Sequence, residues 1–155
     1  MKKQAIFPGS FDPLTLGHAD IVKRSALLFD KIYVALGVNS SKPRFFPLDK
    51  SMQMIEATFQ DFPNVEVIQY SGLTVELCRK MNVNYIVRGI RNVSDFEYER
   101  SLADMNRSVF PELETVFMDS KLAYLPISST IVRDLIRNNA DISAFVPKEI
   151  LSFIS

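Results

Sequence analysis

The chain contains a single histidine, His18, which directly follows a glycine. Both residues end the stretch AIFPGSFDPLTLGH, in which an apolar run stops at Pro8 and Gly9 and a helical pattern begins near Gly17. The first turn of a helix has free backbone N–H groups and the positive end of the helix dipole, and a histidine there adds a side-chain donor. This arrangement favours an anion such as a phosphate. The alternative is a histidine packed in the core.

A second group of donors, Ser128, Ser129 and Thr130, begins a helical pattern near the other end of the chain, and Arg133 follows one turn later. Hydroxyl groups at such positions are ordinary helix caps. Neither serine is followed three residues later by Glu or Gln. We therefore expect no capping box, and backbone N–H groups that are open to a phosphate.

Two arginines, Arg88 and Arg91, flank Gly89 and Ile90 after an apolar run. A pair of guanidinium groups at the end of a strand suits bidentate contacts with phosphate oxygens. The alternative is an ion-pair network with the three acidic residues that follow: Asp95, Glu97 and Glu99.

Ser94 and Glu97 have the spacing of a capping box, which predicts that the next helix begins there. Glu97 is then expected to be structural. Glu99 is expected to be free for another role.

Five apolar or β-branched runs alternate with helical ones, which predicts five strand–helix units. The predicted strands are residues 4–7, 31–38, 65–70, 85–87 and 114–118, and the predicted helices are 17–29, 48–59, 74–81, 95–109 and 129–138, with a short helix near the end of the chain. Short buried strands separated by helices indicate a parallel sheet covered on both faces. We predict an α/β fold, a Rossmann-like doubly wound sandwich with a five-stranded parallel sheet, in a single domain over residues 1–155.

In such a fold, ligands bind outside the carboxyl ends of the strands. The segments that leave these ends carry five cationic side chains: Lys42, Arg44, Arg88, Arg91 and Lys121. Lys42 lies in the polar loop NSSKPR, where most lysines are simply solvated. Its place at this edge is the only reason to consider it a candidate site residue. This edge of the sheet is therefore the predicted site, and phosphate is its predicted ligand.

The composition restricts the class of protein. The 155 residues include 18 basic and 18 acidic side chains, so no bulk attraction to nucleic acid or an anionic membrane is indicated. No apolar run approaches the roughly 20 residues that span a bilayer, and the first one breaks at Pro8, too early for a secretory signal. Cys78, the only cysteine, has a core pattern and fits a cytoplasmic protein. A metal is expected to be bound by oxygen and to arrive with a phosphate.

Other well-known site motifs do not occur. The chain has no GxGxxG after its first strand, no GxxxxGK[ST], and no GxSxG. These absences argue against a dinucleotide fingerprint, a P-loop and a serine-hydrolase elbow.

The stretches GSFDPLTLGH and ISSTIVR resemble the signature pair of the nucleotidyltransferase superfamily. Within it, the whole chain resembles the bacterial phosphopantetheine adenylyltransferases. The first signature has the form TxGH, with Thr15 where related families usually have histidine, and RGIRNVSDFEYE is a marker of this family. Ser10 replaces the threonine of many members and keeps the hydroxyl.

The resemblance implies transfer of an adenylyl group from ATP to 4′-phosphopantetheine, which gives dephospho-coenzyme A and pyrophosphate, the penultimate step of coenzyme A biosynthesis. It implies Mg²⁺ carried by the ATP phosphates without protein side-chain ligands, and a cytoplasmic homohexamer with small-molecule partners and neither nucleic acid nor membrane. His18 would stabilise the transition state and Lys42 would assist. Phosphopantetheine would be bound by Ser10, Lys42, Thr74 and Arg88. The implied ATP-binding residues are Ser10, Phe11, His18, Gly89, Ile90, Arg91, Glu99, Tyr124, Leu125, Pro126, Ile127, Ser128, Ser129 and Thr130.

Three alternatives stay open at this point. The first is another small-molecule nucleotidyltransferase, of the nicotinate mononucleotide adenylyltransferase or the cytidylyltransferase type, against which Thr15 and RGIRNVSDFEYE argue. The second is a non-catalytic nucleotide-binding module. The third is a flavodoxin-like carrier.

Overall fold

The computed structural model describes residues 1–154 and confirms the alternation of strands and helices. The strands are Gln4–Gly9 (β1), Lys31–Val38 (β2), Val65–Ser71 (β3), Tyr85–Ile90 (β4) and Glu114–Asp119 (β5). The α-helices are Leu16–Leu28 (α1), Leu48–Thr58 (α2), Thr74–Met81 (α3), Val93–Val109 (α4), Ser129–Arg137 (α5) and Leu151–Ile154 (α6), and 3₁₀ turns cover Leu122–Tyr124 and Lys148–Ile150. Residue 155 of the predicted domain lies outside the described range.

The five strands form one parallel sheet in the order β3-β2-β1-β4-β5. The chain builds outward from β1 to β3 and then crosses back to β4, so the strand order reverses between β1 and β4. Ligands of open α/β sheets bind at such a switch point. The predicted doubly wound α/β fold is confirmed.

The sheet opens between β1 and β4 toward their carboxyl ends. Pairing of β1 with β4 covers Ala5↔Tyr85 and Ile6↔Ile86, whereas pairing of β1 with β2 continues to Gly9↔Leu36. Strands β1 and β4 are two to three residues longer than predicted, because their outer neighbours β2 and β5 continue to pair with them there. A crevice therefore lies between the ends of β1 and β4.

Alternating residues of the strands form the core on the two faces of the sheet. Phe7 packs with the buried residues of α1, α2 and α5, whereas Ile6 packs on the opposite face with α3. Cys78 of α3 is buried there, as predicted, and burial raises the pKa of its thiol to about 12. The thiol is therefore protonated and structural. No helix within residues 1–154 is both long and apolar enough to cross a membrane.

The predicted cap of α4 is wrong. The helix begins at Val93, and its cap is Asn92, whose side chain accepts a hydrogen bond from the backbone N–H of Asp95 (2.8 Å). Ser94 lies inside the first turn instead. Asparagine caps helices as well as serine does, and here its extended backbone ends the segment that leaves β4.

Candidate functional site

A cavity of about 330 Å³ occupies the crevice between the ends of β1 and β4. Its walls come from the end of β1, the start of α1, the end of β4, the start of α4 and the segment before α5. The predicted ATP-binding residues that line it are Ser10, Phe11, His18, Gly89, Arg91, Glu99, Tyr124, Ile127, Ser128 and Ser129. Ile90, Leu125, Pro126 and Thr130 are not among its lining residues.

Thr15 and His18 form a reciprocal cap at the start of α1. The backbone N–H of His18 donates to Oγ1 of Thr15 (3.4 Å), and the backbone N–H of Thr15 donates to Nδ1 of His18 (3.1 Å). A ring nitrogen that accepts an N–H carries no proton. The proton of the neutral imidazole is therefore on Nε2, which makes Nε2 a hydrogen-bond donor.

The environment of His18 keeps its ring neutral. Burial, followed by the positive charges of Arg88 and Arg91, lowers the pKa of His18 from 6.5 to about 4. At neutral pH the ring is therefore an uncharged donor. The core-packed alternative is also partly right, because the ring is half-buried and meets the edge of the Phe11 ring at 5.2 Å between centroids.

Gly9 is required by the close approach of Phe11. A Cβ atom at Gly9 would lie 2.8 Å from Cζ of the Phe11 ring, which is shorter than van der Waals contact. Phe11 itself has a positive φ of 44°. The turn after β1 thus folds Phe11 back over the strand end, where its ring supports His18.

Arg88 bridges the two strands that border the crevice. Its guanidinium donates to the carbonyl oxygen of Pro8 (2.8 Å) and to both carboxylate oxygens of Glu99 (2.6 and 2.8 Å). Glu99 is buried and takes no part in the cap of α4, so its role lies elsewhere, in the ion pair with Arg88. Arg91 pairs with Asp95 (3.1 Å). The ion-pair alternative therefore holds for both arginines, although both also line the cavity.

The start of α5 differs from prediction in one respect. Oγ of Ser128 accepts the backbone N–H of Ile131 (3.2 Å), so this N–H group is not open to a ligand. Oγ of Ser129 donates to the carbonyl oxygen of Pro13 (2.8 Å), which ties α5 to the loop before α1. The N–H groups of Ser129 and Thr130 belong to the first turn and have no partner within the helix.

The predicted acceptor-binding residues line two adjoining cavities. Lys42 and Ser10 both line a cavity of about 580 Å³, and Ser10 also lines the first cavity. Thr74 lies in a third cavity, of about 160 Å³, which shares Arg88 and Glu99 with the first. The first cavity therefore adjoins the second at Ser10 and the third at Arg88.

Sequence reasoning missed Asp12 as a residue that organises the site. Its buried carboxylate accepts the backbone N–H groups of Phe45 and Phe46 (2.8 and 2.9 Å), and Arg44 donates to the carbonyl oxygen of Ser10 (2.8 Å). These bonds join the turn after β1 to the loop that carries Lys42. Partners so far apart in sequence leave no local pattern.

The capping role of Thr15, which the sequence marked only as a family feature, was also missed, as were Asn106 and Tyr70. For Thr15 a signal existed, because Thr15 and His18 have the same N-cap to N3 spacing as a capping box. Asn106 and Tyr70 line the third cavity, and the hydroxyl of Tyr70 lies 2.7 Å from Oγ1 of Thr74. Their position in a helix and in a strand gave no hint of a cavity.

Comparison with known proteins identifies relatives over the whole chain. Residues 6–135 match the family model described as cytidylyltransferase-like. The chain is 50% identical to a phosphopantetheine adenylyltransferase of Flavobacterium psychrophilum over 96% of this chain and 97% of that one. It is 45% identical to a protein of the same name from Cytophaga hutchinsonii over 97% of this chain and all of that one.

A solved structure shares the fold at lower identity. A Vibrio parahaemolyticus protein described as a nicotinate-nucleotide adenylyltransferase has a TM-score of 0.79 at 20% identity, with 99% of each chain covered. At this identity the likeness concerns the fold and not the substrate.

We expect the Thr15→Val substitution to lower the free energy of unfolding by about 1 kcal/mol, because it removes the cap hydroxyl of α1 and keeps the shape of the side chain. Urea denaturation measures this loss. The matched control is Thr58→Val, since Thr58 is also buried but its hydroxyl donates to the carbonyl oxygen of Met54 inside α2. Equal losses in the two variants would contradict the capping role of Thr15.

Proposed function

Because the chain belongs to the phosphopantetheine adenylyltransferases, within the cytidylyltransferase-like family, we propose that the three joined cavities are where it transfers an adenylyl group from ATP to 4′-phosphopantetheine. The chain is thus a nucleotidyltransferase of coenzyme A biosynthesis. A phosphate oxygen of phosphopantetheine attacks the α-phosphorus of ATP, the bond to the bridging oxygen breaks, and pyrophosphate leaves. The observation that carries the proposal is the neutral His18 at the switch point of the sheet.

The reaction needs charge stabilisation and positioning rather than a general base. The attacking phosphate is already an anion, so no proton has to be removed from it. Holding two reactants in line can contribute about 7–11 kcal/mol. Nε2 of His18 would donate to an α-phosphate oxygen as negative charge grows there, and one such donor contributes about 3–4 kcal/mol in the transition state.

The ATP subsite would lie between the start of α1 and the segment Tyr124–Thr130. Ser10 and the N–H groups at the start of α5 offer donors to the phosphates, and the dipole of α5 favours their charge. Arg91 would join them. Its ion pair with Asp95 is partly exposed, so exchanging that carboxylate for a phosphate costs about 1 kcal/mol or less.

The acceptor phosphate would lie between Lys42 and Arg88, near Ser10. Among the described residues, Lys42 makes no ion pair, so its charge is available to a ligand. Arg88 uses three of its five N–H groups on Glu99 and Pro8 and keeps two for phosphate. Glu99 thereby orients Arg88, and it also lines the proposed ATP cavity.

The third cavity suits the pantetheine arm, which carries two amide groups. Its lining combines polar side chains that can pair with amides, Thr74, Tyr70 and Asn106, with the apolar Leu102. Arg88 lines both this cavity and the first, so an arm placed in it would begin at the proposed phosphate position. Thr74 would bind along this arm, as the family resemblance implies.

Magnesium would enter as the counter-ion of the ATP substrate. Within residues 1–154 no three carboxylate, histidine or cysteine side chains are grouped as metal ligands. The two carboxylates that line the ATP cavity, Asp95 and Glu99, are both engaged by arginines. The phosphates therefore suit Mg²⁺ better than these side chains do.

An exposed apolar stripe on α4 supports self-association of the chain, and the family resemblance implies a homohexamer. Tyr98, Leu102, Met105 and Val109 recur at helical spacing, and Tyr98 and Met105 are 64% and 57% exposed. Leu102 also borders the third cavity, so a second copy seated on the stripe would cover that cavity. Sedimentation equilibrium of the intact chain would give the mass of six copies; a monomer would contradict the assembly.

We further propose a cytoplasmic enzyme of one domain over residues 1–155, without nucleic acid or membrane partners. Its balanced charge, together with the five cationic side chains on the segments that leave the carboxyl ends of the strands, supports small anionic substrates. Limited proteolysis that released a stable fragment would argue against a single domain.

We expect His18→Ala to lower kcat roughly 10²- to 10³-fold and to change ATP affinity much less, because the lost donor acts on charge that develops in the transition state. Mass spectrometry of dephospho-coenzyme A formed from ATP, Mg²⁺ and phosphopantetheine gives the rate. Nicotinate mononucleotide, supplied instead as acceptor, should yield no product with the wild-type chain. Near-normal turnover of the variant would remove His18 from the mechanism.

Lys42→Met should raise the KM for phosphopantetheine about 10-fold and leave the KM for ATP within about 2-fold, since a phosphate contact is lost on the acceptor side alone. Lys50→Met is the matched control, because Lys50 lies over the Phe46 ring outside the three cavities. Steady-state kinetics with each substrate varied would test this. A larger change for ATP than for phosphopantetheine would reject the assignment.

A further inference from the structure

Asp20 lies on α1 two residues after His18, and it is not among the residues that line the cavities. Its carboxylate makes two ion pairs, with Arg24 (3.0 Å) on its own helix and with Lys121 (3.0 Å) in the segment after β5. The side chain of Asp20 is only 11% exposed. The pair with Arg24, which is 29% exposed, is shielded better than a surface pair, whereas solvent screens the pair with Lys121 more because Lys121 is 59% exposed.

Arg24 extends this contact to the end of β5. Its guanidinium donates to the carbonyl oxygen of Asp119 (2.8 Å) as well as to Asp20. Helix α1 therefore contacts the chain on both sides of Ser120. Arg24 of α1 binds Asp119 before it, and Asp20 of α1 binds Lys121 after it. The carboxylate of Asp119 is 95% exposed, so its own 3.3 Å pair with Arg24 adds little.

The segment held in this way forms one wall of the first cavity. Ser120 and Tyr124 both line that cavity, and the 3₁₀ turn Leu122–Tyr124 lies between Lys121 and the start of α5. Helix α1 also approaches this wall directly, since a Cβ atom at Gly17 would lie 3.7 Å from Cβ of Tyr124. The distance between the wall and His18 thus depends on how the segment is attached to α1.

We propose that Asp20, Arg24 and Lys121 are positioning residues, which hold the segment 119–124 against α1 and thereby set the affinity for the nucleotide but not for the acceptor. The acceptor-binding residues lie on other elements: Lys42 follows β2, Thr74 begins α3, and Arg88 is in β4. This inference rests on the proposed function, because it takes Tyr124–Thr130 as the ATP-binding wall.

Lys121→Met is the informative substitution. Lys121 is 59% exposed, so its loss does not threaten folding, and the Asp20–Arg24 pair is kept. We expect the Kd and the KM for ATP to rise about 3- to 10-fold, while kcat and the KM for phosphopantetheine stay within about 2-fold. Lys121→Arg, which retains the charge, should restore most of the ATP affinity.

Lys31→Met is the matched control, since Lys31 also pairs with a carboxylate, Glu66, but at the amino end of β2. It should leave all constants unchanged. In an Asp20→Asn background, Lys121→Met should raise the Kd for ATP by a smaller factor than it does in the wild-type chain, because the two residues act through one contact.

The possible outcomes separate this inference from the proposed function. If the wild-type chain makes dephospho-coenzyme A but Lys121→Met leaves ATP affinity unchanged, or weakens both substrates equally, the positioning role is wrong and the function stands. If the wild-type chain neither binds ATP in calorimetry nor forms product, both are wrong. A selective loss for ATP that Lys121→Arg restores supports the inference.

Discussion

The N–H of Thr15 donates to Nδ1 of His18, and this bond determines what the only histidine of the chain can do. With Nδ1 accepting, the ring proton is on Nε2, and burial together with two nearby arginines keeps the ring neutral. The same threonine caps the helix on which His18 lies. One local motif thus sets the start of α1, the orientation of the imidazole and its protonation state. The opening between β1 and β4 then places that imidazole in a cavity.

Most of the cationic side chains that follow the carboxyl ends of the strands are neutralised by carboxylates of the same chain. Arg88, Arg91, Lys121 and Arg44 are each paired with a carboxylate, and Arg44 also donates to backbone oxygens, whereas Lys42 makes no ion pair among the described residues. Paired arginines remain oriented and keep unused N–H groups, so they can bind phosphate without the cost of uncompensated charge in the free protein. Two anionic substrates can therefore be brought together in a chain with no net charge.

The strands and helices were predictable because apolar periodicity is local, and β2 and α3 match their predicted bounds. The ends of β1 and β4 were not predictable. Their last residues are part of a strand because they pair with the neighbouring strands β2 and β5, which continue there. At the site, the position of His18 and its donor role followed from helix physics. The engagement of Glu99 by Arg88 and the contacts of Asp12 join residues distant in sequence, and such partners cannot be read from a single chain. Helix α4 is capped by Asn92 and not by Ser94. Asparagine and serine have nearly equal preference for the cap position, so the residue types alone could not decide between the two.

The protonation state of His18 is the most direct test of this account. Because the chain has one histidine, ¹⁵N labelling of histidine gives a single imidazole, and its two nitrogen shifts can be followed in the ligand-free protein by NMR from pH 8 down to about pH 3. We expect a neutral ring at pH 7 with the proton on Nε2 and a pKa of about 4. A pKa near 6.5, or a neutral ring with the proton on Nδ1, would contradict it.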